Sequence, residues 1–208
     1  MAIRLNGVYK ESTVNKASDM AHGTYLLANN PALYEPQRTN NFEFVCTDLD
    51  NIVRAGANGD EENARIANAQ EILRIGVASA SVPHFTQGVI EIRKGNSVIK
   101  AAGVPTFPSG SLVVDDFIGA GTKDVLMAWQ HLSYNAITEK VGLMGDYKKD
   151  CYLIEYTPDW QEVRRWKLRG CWISGLTEGE FNKEEEGRKQ VTATIEYDSA
   201  IPDMSELQ

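Results

Sequence analysis

The sequence is poor in the residues that build disulfide frameworks and metal sites. It has three cysteines among 208 residues, and no CxxC pair occurs. An odd number at wide spacing argues against a disulfide framework or a zinc knuckle and favours buried free thiols in a reducing compartment. None of the three histidines lies four residues from another or beside a cysteine, so no metal site is expected. The residues in question are Cys46, Cys151, Cys171, His22, His84 and His131.

Motifs for catalysis and cofactor binding are missing as well. The chain contains no GxSxG elbow and no Cys–His signature. The segment GAGTKD, residues 119–124, lies where a phosphate loop would lie, but its spacing does not fit GxxxxGKS/T. Asp115 and Asp116 are adjacent on a predicted strand and point to opposite faces, so they do not form a carboxylate dyad. We therefore expect no enzyme activity, no catalytic residue and no cofactor.

Long apolar runs and a surplus of basic residues are also absent. No segment approaches the ~20 apolar residues of a membrane span, and the first residues lack the apolar core of a signal peptide. The net charge of −8 argues against broad non-specific affinity for DNA or anionic membranes. We expect a chain that folds in a cytoplasm and does not insert into a membrane.

What the chain does contain is strand-like alternation. The clearest example is residues 190–199, where apolar side chains occupy one face and polar side chains the other. The apolar face consists of Val191, Ala193, Ile195 and Tyr197. Similar patterns predict strands in six further segments, one of which holds two strands around a Gly95-Asn96 turn. These segments are residues 41–50, 72–82, 88–103, 109–121, 148–157 and 161–173.

One segment changes from strand-like to helical spacing. Four apolar residues recur on one stripe of residues 122–135, which predicts an amphipathic helix. Thr122 is suited to cap its N-terminus, and Asp124 lies in the first turn, where the helix dipole favours an acid. The stripe consists of Val125, Leu126, Trp129 and Leu132.

Together these elements predict a mainly β fold, with two packed antiparallel sheets (a sandwich or barrel) and one flanking α-helix. The polar segment 1–40 is interpreted as an N-terminal arm. The β domain spans residues 41–199, with an insertion at about 55–70, and residues 200–208 form a C-terminal tail.

Apolar residues occupy both faces of two neighbouring strands. Tyr152 and Ile154 share one face of the first strand, and Cys171, Trp172 and Ile173 follow one another on the second. A strand with one buried face alternates, so a second apolar face needs a cover of its own. Either the chain's own helix or a neighbouring subunit can provide that cover. These five residues are the inter-subunit candidates.

From residue 81 onward, the order of these features resembles the tail tube proteins of contractile-tailed bacteriophages. The resemblance covers roughly residues 41–199 and rests on the order and spacing of its pieces. In chain order, the pieces are Val82-Pro83 after a strand, GVIEIRKGNSVIKAAG, SLVVDDF, a helix containing AWQ, YKK, WKLRGCW and a final alternating strand.

The resemblance implies a fold and a function. The fold is two packed antiparallel sheets with a flanking helix, and the function is structural. Six copies would form a ring, and stacked rings would form the inner tail tube that conducts DNA during ejection and templates a contractile sheath. The implied partners are other copies, the tail sheath, the baseplate and the tail-terminator proteins. The implied location is the virion tail, assembled in the host cytoplasm.

The acidic balance of the chain suits a lumen along which DNA slides. Each lysine or arginine that pairs with a phosphate adds affinity through counterion release, so a basic lumen would slow the DNA. The candidate lumen-facing residues, taken from polar strand faces, are Glu91, Asp115, Asp116, Glu196 and Asp198.

Two other functions stay open at this point. The inner tube of a bacterial contractile injection or secretion system shares the fold but delivers protein effectors. A β-sandwich carbohydrate-binding module or hydrolase would instead show exposed aromatic residues around a groove and a pair of carboxylates.

Overall fold

The computed structural model describes residues 4–5, 9–10, 35–56, 68–119, 121–184 and 186–203. The chain divides into two units, Met1–Thr39 and Asn40–Gln208. In the first unit, the short strands β1 (Arg4–Leu5) and β2 (Tyr9–Lys10) pair antiparallel.

Strands dominate the described part of the second unit. They are β3 (Phe42–Cys46), β4 (Val77–Ala80), β5 (Thr86–Lys94), β6 (Ser97–Thr106), β7 (Gly110–Asp115), β8 (Tyr134–Asn135), β9 (Lys140–Val141), β10 (Lys149–Tyr156), β11 (Glu162–Glu178), β12 (Gln190–Glu196) and β13 (Ser199–Asp203). The helices are α1 (Leu49–Gly56), α2 (Ala69–Gly76), α3 (Thr122–Ser133) and α4 (Met144–Tyr147).

The main sheet contains seven of these strands in the order β3-β10-β11-β12-β7-β4, with β13 beside β11. Strand β11 is 17 residues long and joins the two halves of the sheet, because its first part pairs with β10 and β13 and its last part pairs with β12. Within the described residues, β3 and β4 each have one neighbour, so the sheet stays open. The predicted mainly β, antiparallel fold is confirmed, without the closed barrel that was one form of the prediction.

The hydrophobic core lies between the main sheet and the helices α1, α2 and α3. Alternate residues of the central strands and the apolar stripes of the helices contribute to one cluster of buried side chains. Its largest members include Phe44, Leu49, Leu73, Leu112, Leu126, Trp129, Ile173 and Val191. Burying a side chain of this size stabilises a fold by roughly 1.5–3 kcal/mol, so the helices are integral to the domain.

Three predictions from periodicity are confirmed. The helix predicted over residues 122–135 is α3, and Val125, Leu126 and Trp129 on its stripe are buried. The apolar face predicted for residues 190–199 is buried in β12 and just after it. The strands predicted on either side of residues 158–159 are β10 and β11.

The strand predicted over residues 72–82 is wrong for its first half. Residues 72–76 belong to α2, and only Val77–Ala80 forms a strand. The buried residues of α2, which are Ala69, Leu73 and Gly76, are spaced by four and three, as one helix face requires. The predicted strand over residues 41–50 likewise ends at Cys46, and α1 begins at Leu49. The predicted insertion at about 55–70 lies largely outside the described residues.

The N-terminus of α3 also differs from the prediction. Gly121, with a φ of 59°, occupies the capping position, so Thr122 is the first helical residue and not the cap. The Thr122 hydroxyl accepts a hydrogen bond from the Phe117 N–H at 3.4 Å and thereby holds the preceding loop. A left-handed backbone at this junction favours glycine, which has no side chain to cap the helix.

Strand β13 was not anticipated from the sequence. It contains Pro202, which lies opposite Trp166 of β11. In the described residues β13 has no second neighbour, and a proline, which lacks an N–H, is tolerated on such an outer strand. None of the helices in the described ranges has the length and apolar character that a transmembrane span requires.

Candidate functional site

Strands β5 and β6 form a long hairpin that pairs with no other strand of the described chain. The hairpin follows the β4–β7 pair in an unchanged pairing register. Ala80 lies opposite Leu112, the Ser81 N–H donates to the Ser111 carbonyl at 2.9 Å, and Thr86 lies opposite Thr106. One antiparallel ribbon therefore runs from the edge of the main sheet into the hairpin.

Aromatic side chains connect the base of the hairpin to the core. The ring of Phe85 lies 6.0 Å from that of Phe107, which lies 6.2 Å from the ring of Tyr197 in an edge-to-face arrangement. Tyr197 belongs to the buried core, so this row of rings fixes the direction in which the hairpin leaves the domain.

The far end of the hairpin is a two-residue turn. Lys94 pairs with Ser97, and Gly95 between them has a φ of 61°. A glycine at the first central position with positive φ is the signature of the tight turns that suit twisted hairpins. The predicted turn at Gly95-Asn96 is confirmed.

One face of the hairpin is apolar and exposed. Ile92 pairs with Ile99, and Ile90 pairs with Ala101 on the same face. The three isoleucines are exposed by 53% (Ile90), 45% (Ile92) and 54% (Ile99). An isolated two-stranded hairpin is only marginally stable in water, and a contiguous apolar face of this kind marks an interaction surface. The hairpin is therefore the leading candidate for a contact with another chain.

The opposite face of the hairpin mixes charged and apolar residues. Glu91 lies opposite Lys100 and Arg93 opposite Val98, whereas Lys94 continues the isoleucine face beside the turn. Three cations and one carboxylate give residues 86–106 a net charge of +2, in a chain whose net charge is −8. The hairpin thus combines an apolar face with a cationic tip, and it suits an acidic, partly apolar partner surface.

Two of the predicted lumen-facing residues lie in an ion-pair network at the end of β7. The Arg188 guanidinium is 2.9 Å from an Asp115 carboxylate oxygen, and the Lys189 ammonium is 3.5 Å from one of Asp116. Lys189 also approaches Glu178 at 3.3 Å. These carboxylates therefore face cations of their own chain.

The other predicted lumen-facing residues lie elsewhere on the main sheet and on the hairpin. Asp198 pairs with Lys148 at 2.7 Å, and the Ser174 hydroxyl donates to Glu196 at 3.4 Å. Glu91 lies on the hairpin, separate from these four acids. The structure thus brings Asp115 and Asp116 to one end of β7 but does not gather all five residues on one patch.

The five inter-subunit candidates differ in how deeply they are buried. Cys171, Ile173 and Ile154 are buried within the chain itself, whereas Tyr152 and Trp172 are half-buried. The ammonium of Lys167 lies 5.8 Å from the Tyr152 ring, a cation–π distance. Any surface that these strands offer to another chain is therefore formed by Tyr152 and Trp172 and not by the buried three.

All three cysteines lie in the core as free, fully buried thiols, so their predicted burial is confirmed. Cys46 lies directly opposite Cys151 on the β3–β10 ladder. Burial, followed by the neighbouring thiols of Cys171 and Cys46, raises the pKa of the Cys151 thiol well above its ordinary value. Among the described residues, no group of three or more His, Cys, Asp or Glu side chains is arranged to hold a metal ion.

An open groove at the outer end of β3 and β10 was missed by sequence reasoning. We call it the Trp160 groove, and its volume is about 510 Å³. Its lining residues are Phe42, Glu43, Glu71, Arg74, Ile75, Tyr156 and Trp160. Trp160 is 66% exposed and Ile75 67% exposed. The one signal in the sequence is a tryptophan within the polar turn TPDWQ, residues 157–161, where a large apolar side chain has no structural need.

Hydrogen bonds order the polar side of the Trp160 groove. The Tyr156 hydroxyl donates to Glu43 Oε2 at 2.9 Å, and the Arg74 guanidinium pairs with the other oxygen of Glu43. Burial and then the hydrogen bond to Glu43 raise the pKa of Tyr156 to about 12, so its hydroxyl remains a donor at neutral pH. Glu71 is exposed and has no ionic partner within the described ranges.

The fold is similar to chains of solved contractile assemblies. A chain of the sheath–tube complex of PVC, an extracellular contractile injection system, in the extended state aligns with a TM-score of 0.60 and 16% identity, over 84% of this chain and 96% of that chain. A chain of the anti-feeding prophage cap, which terminates its tube, aligns with a TM-score of 0.58 and 16% identity, over 81% and 91%. A chain of the PVC sheath/tube terminator aligns with a TM-score of 0.58 and 19% identity, over 82% and 99%.

At these identities the likeness is one of fold. It confirms the tail-tube-like architecture that the sequence resemblance implies. No protein-family model matches the chain, and no curated protein does.

Proposed function

We propose that the chain is a structural subunit of the inner tube of a contractile injection machine, in which homohexameric rings stack into a hollow tube. The observation that carries the proposal is the fold likeness to a chain of a sheath–tube complex, which spans 84% of this chain and 96% of that one. Because the alignment covers most of both chains, the two share most of their architecture and not a single motif.

The exposed hairpin supports this function independently of the likeness. Its isoleucine face and its unpaired strand edges are hazards in a permanent monomer, because they promote association. In a ring or a stack of rings, the same features become the contacts that join the copies. A contact between two different surfaces of one chain does not close on itself, so it generates the open growth that a tube requires.

The partners of such a subunit follow from its position. We infer that the outer wall contacts a contractile sheath and that the ends of the stack meet baseplate and terminator proteins. The similar chains belong to a sheath–tube complex, a tube-terminating cap and a sheath/tube terminator. The assembled tube then belongs to an injection particle or a virion tail that is built in the host cytoplasm.

Two cargoes suit a hollow tube of this kind. The similar chains come from an extracellular contractile injection system and an anti-feeding prophage, which favours protein effectors. Passage of DNA in a phage tail is the second candidate. It is favoured by the net charge of −8, which limits adhesion of a polyanion to the wall.

The lumen-facing role of the five acidic residues is part of this proposal. Glu91 lies on the exposed hairpin, whereas Asp115, Asp116 and Asp198 are paired with cations of their own chain. Paired acids contribute less net charge to a wall. Glu196, which accepts from the Ser174 hydroxyl, is therefore expected to affect a passing polyanion more than Glu91, which lies opposite Lys100. An assembled-tube structure with these residues on the outer wall would overturn the assignment.

Electron microscopy of the purified chain tests the function directly. The sample is concentrated stepwise, with and without a tube-nucleating baseplate component, and is viewed by negative stain. Rings or hollow tubes with six-fold symmetry are the expected result. A chain that stays monomeric at high concentration in both conditions would contradict the proposal.

The cargo is tested on tubes isolated from producing cells. Nucleic acid that resists nuclease until the tubes are dissociated indicates DNA passage, whereas protein released on dissociation indicates effector delivery. Tubes reassembled from the purified chain are the matched control, because they have had no access to cargo.

A further inference from the structure

The Trp160 groove has an apolar wall that the described residues leave exposed. Ile75 and Trp160 are each exposed by about two thirds, and the Trp160 ring lies 5.7 Å from the ring of Tyr156. Large apolar side chains around a concavity are typical of surfaces that bind a partner. The groove therefore presents an aromatic wall that is suited to an apolar side chain of another molecule.

Hydrogen bonds hold Trp160 in a strained backbone conformation. Its φ is 64°, which is an outlier for a bulky residue. The turn is held by the Trp160 N–H, which donates to the Thr157 carbonyl at 3.0 Å, and by the Gln161 N–H, which donates to the Thr157 hydroxyl at 2.9 Å. A conformation of this kind costs roughly 1–3 kcal/mol and persists where the surrounding structure enforces it. The turn thus holds a large aromatic side chain at the surface.

The polar side of the groove is acidic. Glu43 and Glu71 line it together with one cation, Arg74, and the Arg74 guanidinium is already paired with Glu43. The Glu71 carboxylate is left as an exposed charge without an ionic partner in the described part of the chain. The groove accordingly suits a partner that brings a cation beside an apolar side chain.

The tip of the β5–β6 hairpin has this chemistry. Arg93 and Lys94 directly precede the Gly95-Asn96 turn, Ile92 precedes them on the same strand, and Val98 lies opposite Arg93. Both cations are exposed, and neither has an ionic partner among the described residues. The hairpin tip and the groove both expose apolar side chains, and their charges are opposite in sign.

We propose that the Trp160 groove receives the tip of the β5–β6 hairpin of a second copy of this chain. Ile92 lies against the aromatic wall, and Lys94 pairs with Glu71. This inference rests on the proposed self-assembling function and names the acceptor surface for its hairpin. The contact joins two different surfaces, so a bound pair still offers one free hairpin and one free groove, and growth continues in one direction.

Cross-linking in mixed-isotope assemblies tests the contact without any substitution. Chains with natural nitrogen and with ¹⁵N are co-assembled, treated with a water-soluble carbodiimide and analysed by mass spectrometry. An amide between Glu71 and Lys94 that joins peptides of different isotope content is the expected product. If assembled tubes contain no such link and no amide from Lys94 to Glu43, the acceptor assignment is overturned.

Charge reversal at Glu71 and Lys94 is the second test of the contact. Glu71→Lys and Lys94→Glu should each raise the critical concentration for assembly roughly tenfold or more, and the double variant should restore it toward the wild-type value. Lys183→Glu is the matched control, because it reverses an exposed charge outside both surfaces. Both altered groups are exposed, so the monomers should keep the wild-type unfolding midpoint.

The outcomes separate the two proposals. Tubes that form equally well from wild type, Glu71→Lys and Trp160→Ala overturn the hairpin–groove contact and leave the tube function standing. Failure of the wild type to form rings or tubes overturns both proposals. A groove that binds a soluble oligosaccharide, while Trp160→Ala assembles normally, also counts against a second copy as the occupant.

Discussion

The ring of Trp172 lies edge to face against the ring of Tyr147, with their centroids 5.4 Å apart. Tyr147 is itself tied to the core, because its backbone carbonyl accepts a hydrogen bond from Trp129 Nε1 at 3.0 Å. Helix α4 therefore covers part of the second apolar face of β11 within a single chain. The apolar run Cys171-Trp172-Ile173 is explained for the most part by the chain's own packing.

Replacing Trp172 should act mainly on the stability of the monomer and not on assembly. We expect Trp172→Ala to lower the free energy of unfolding by about 2–3 kcal/mol, through loss of the edge-to-face contact and of apolar burial. Urea denaturation of the monomer measures the change. Trp160→Ala is the matched control, since its exposed ring should alter monomer stability by no more than ~0.5 kcal/mol. Unchanged stability of Trp172→Ala together with loss of assembly would show that a neighbouring chain covers this face.

Gly170 is required by its backbone conformation. Its φ is 63°, and a β-carbon there would clash with the carboxylate of Asp198. We expect Gly170→Ala to destabilise the chain by about 2 kcal/mol or more. Gly175→Ala on the same strand is the control, because its nearest neighbour would be Thr194 Oγ1 at 4.0 Å and its φ is not positive. Equal unfolding midpoints for the two variants would contradict the argument.

The buried thiols should not react with thiol reagents in the native state. All three are fully buried, so a chromogenic disulfide reagent should label none of them in buffer and all three in denaturant. Rapid labelling of native protein would show that the core around Cys46, Cys151 and Cys171 opens readily.

Stability should also decline at alkaline pH because of the same cluster. The pKa of the Cys151 thiol is raised in the folded state above its ordinary value of 9.0. The folded state therefore favours the protonated thiol, so this contribution is complete below pH 9 and is lost as the pH rises above it. Unfolding midpoints measured from pH 7 to 11 should fall less steeply for Cys151→Ala than for wild type. Parallel pH profiles would assign the decline to other groups.

The isoleucine face of the hairpin should matter for assembly and not for the fold of the monomer. We expect Ile90→Thr combined with Ile99→Thr to abolish tubes at concentrations where wild type assembles, because apolar contact area is lost. Circular dichroism and the unfolding midpoint of the monomer should stay close to wild type, since both side chains are half exposed. Glu91→Gln, on the opposite face, is the control and should still form tubes. Tubes from the double threonine variant would exclude this face as a contact.

Features that depend on local periodicity were predictable from the sequence. The alternation of β12 and the stripe of α3 repeat at short intervals, so each pattern reports directly which residues are buried. The Gly95 turn was visible because two residues suffice to define it. Residues 72–76 were misassigned because a short apolar run fits both a strand and a helix, and the packing of Leu73 against the core decides between them.

The candidate site depended on contacts between distant parts of the chain. Cys46 and Cys151 meet because β3 pairs with β10, and Asp115 meets Arg188 across 73 positions. The Trp160 groove likewise combines β3, α2 and the turn after β10.

By itself, the sequence determined the strand-rich class, the main helix, the hairpin turn and the absence of recognisable catalytic motifs, because each depends on neighbouring residues. The tertiary structure alone decided that the apolar run after Gly170 is covered largely from within and that the hairpin is left exposed. It also decided that the carboxylates at the end of β7 are paired. These outcomes depend on which strands adjoin, and strand pairing is set by the burial of the whole core and not by any local pattern.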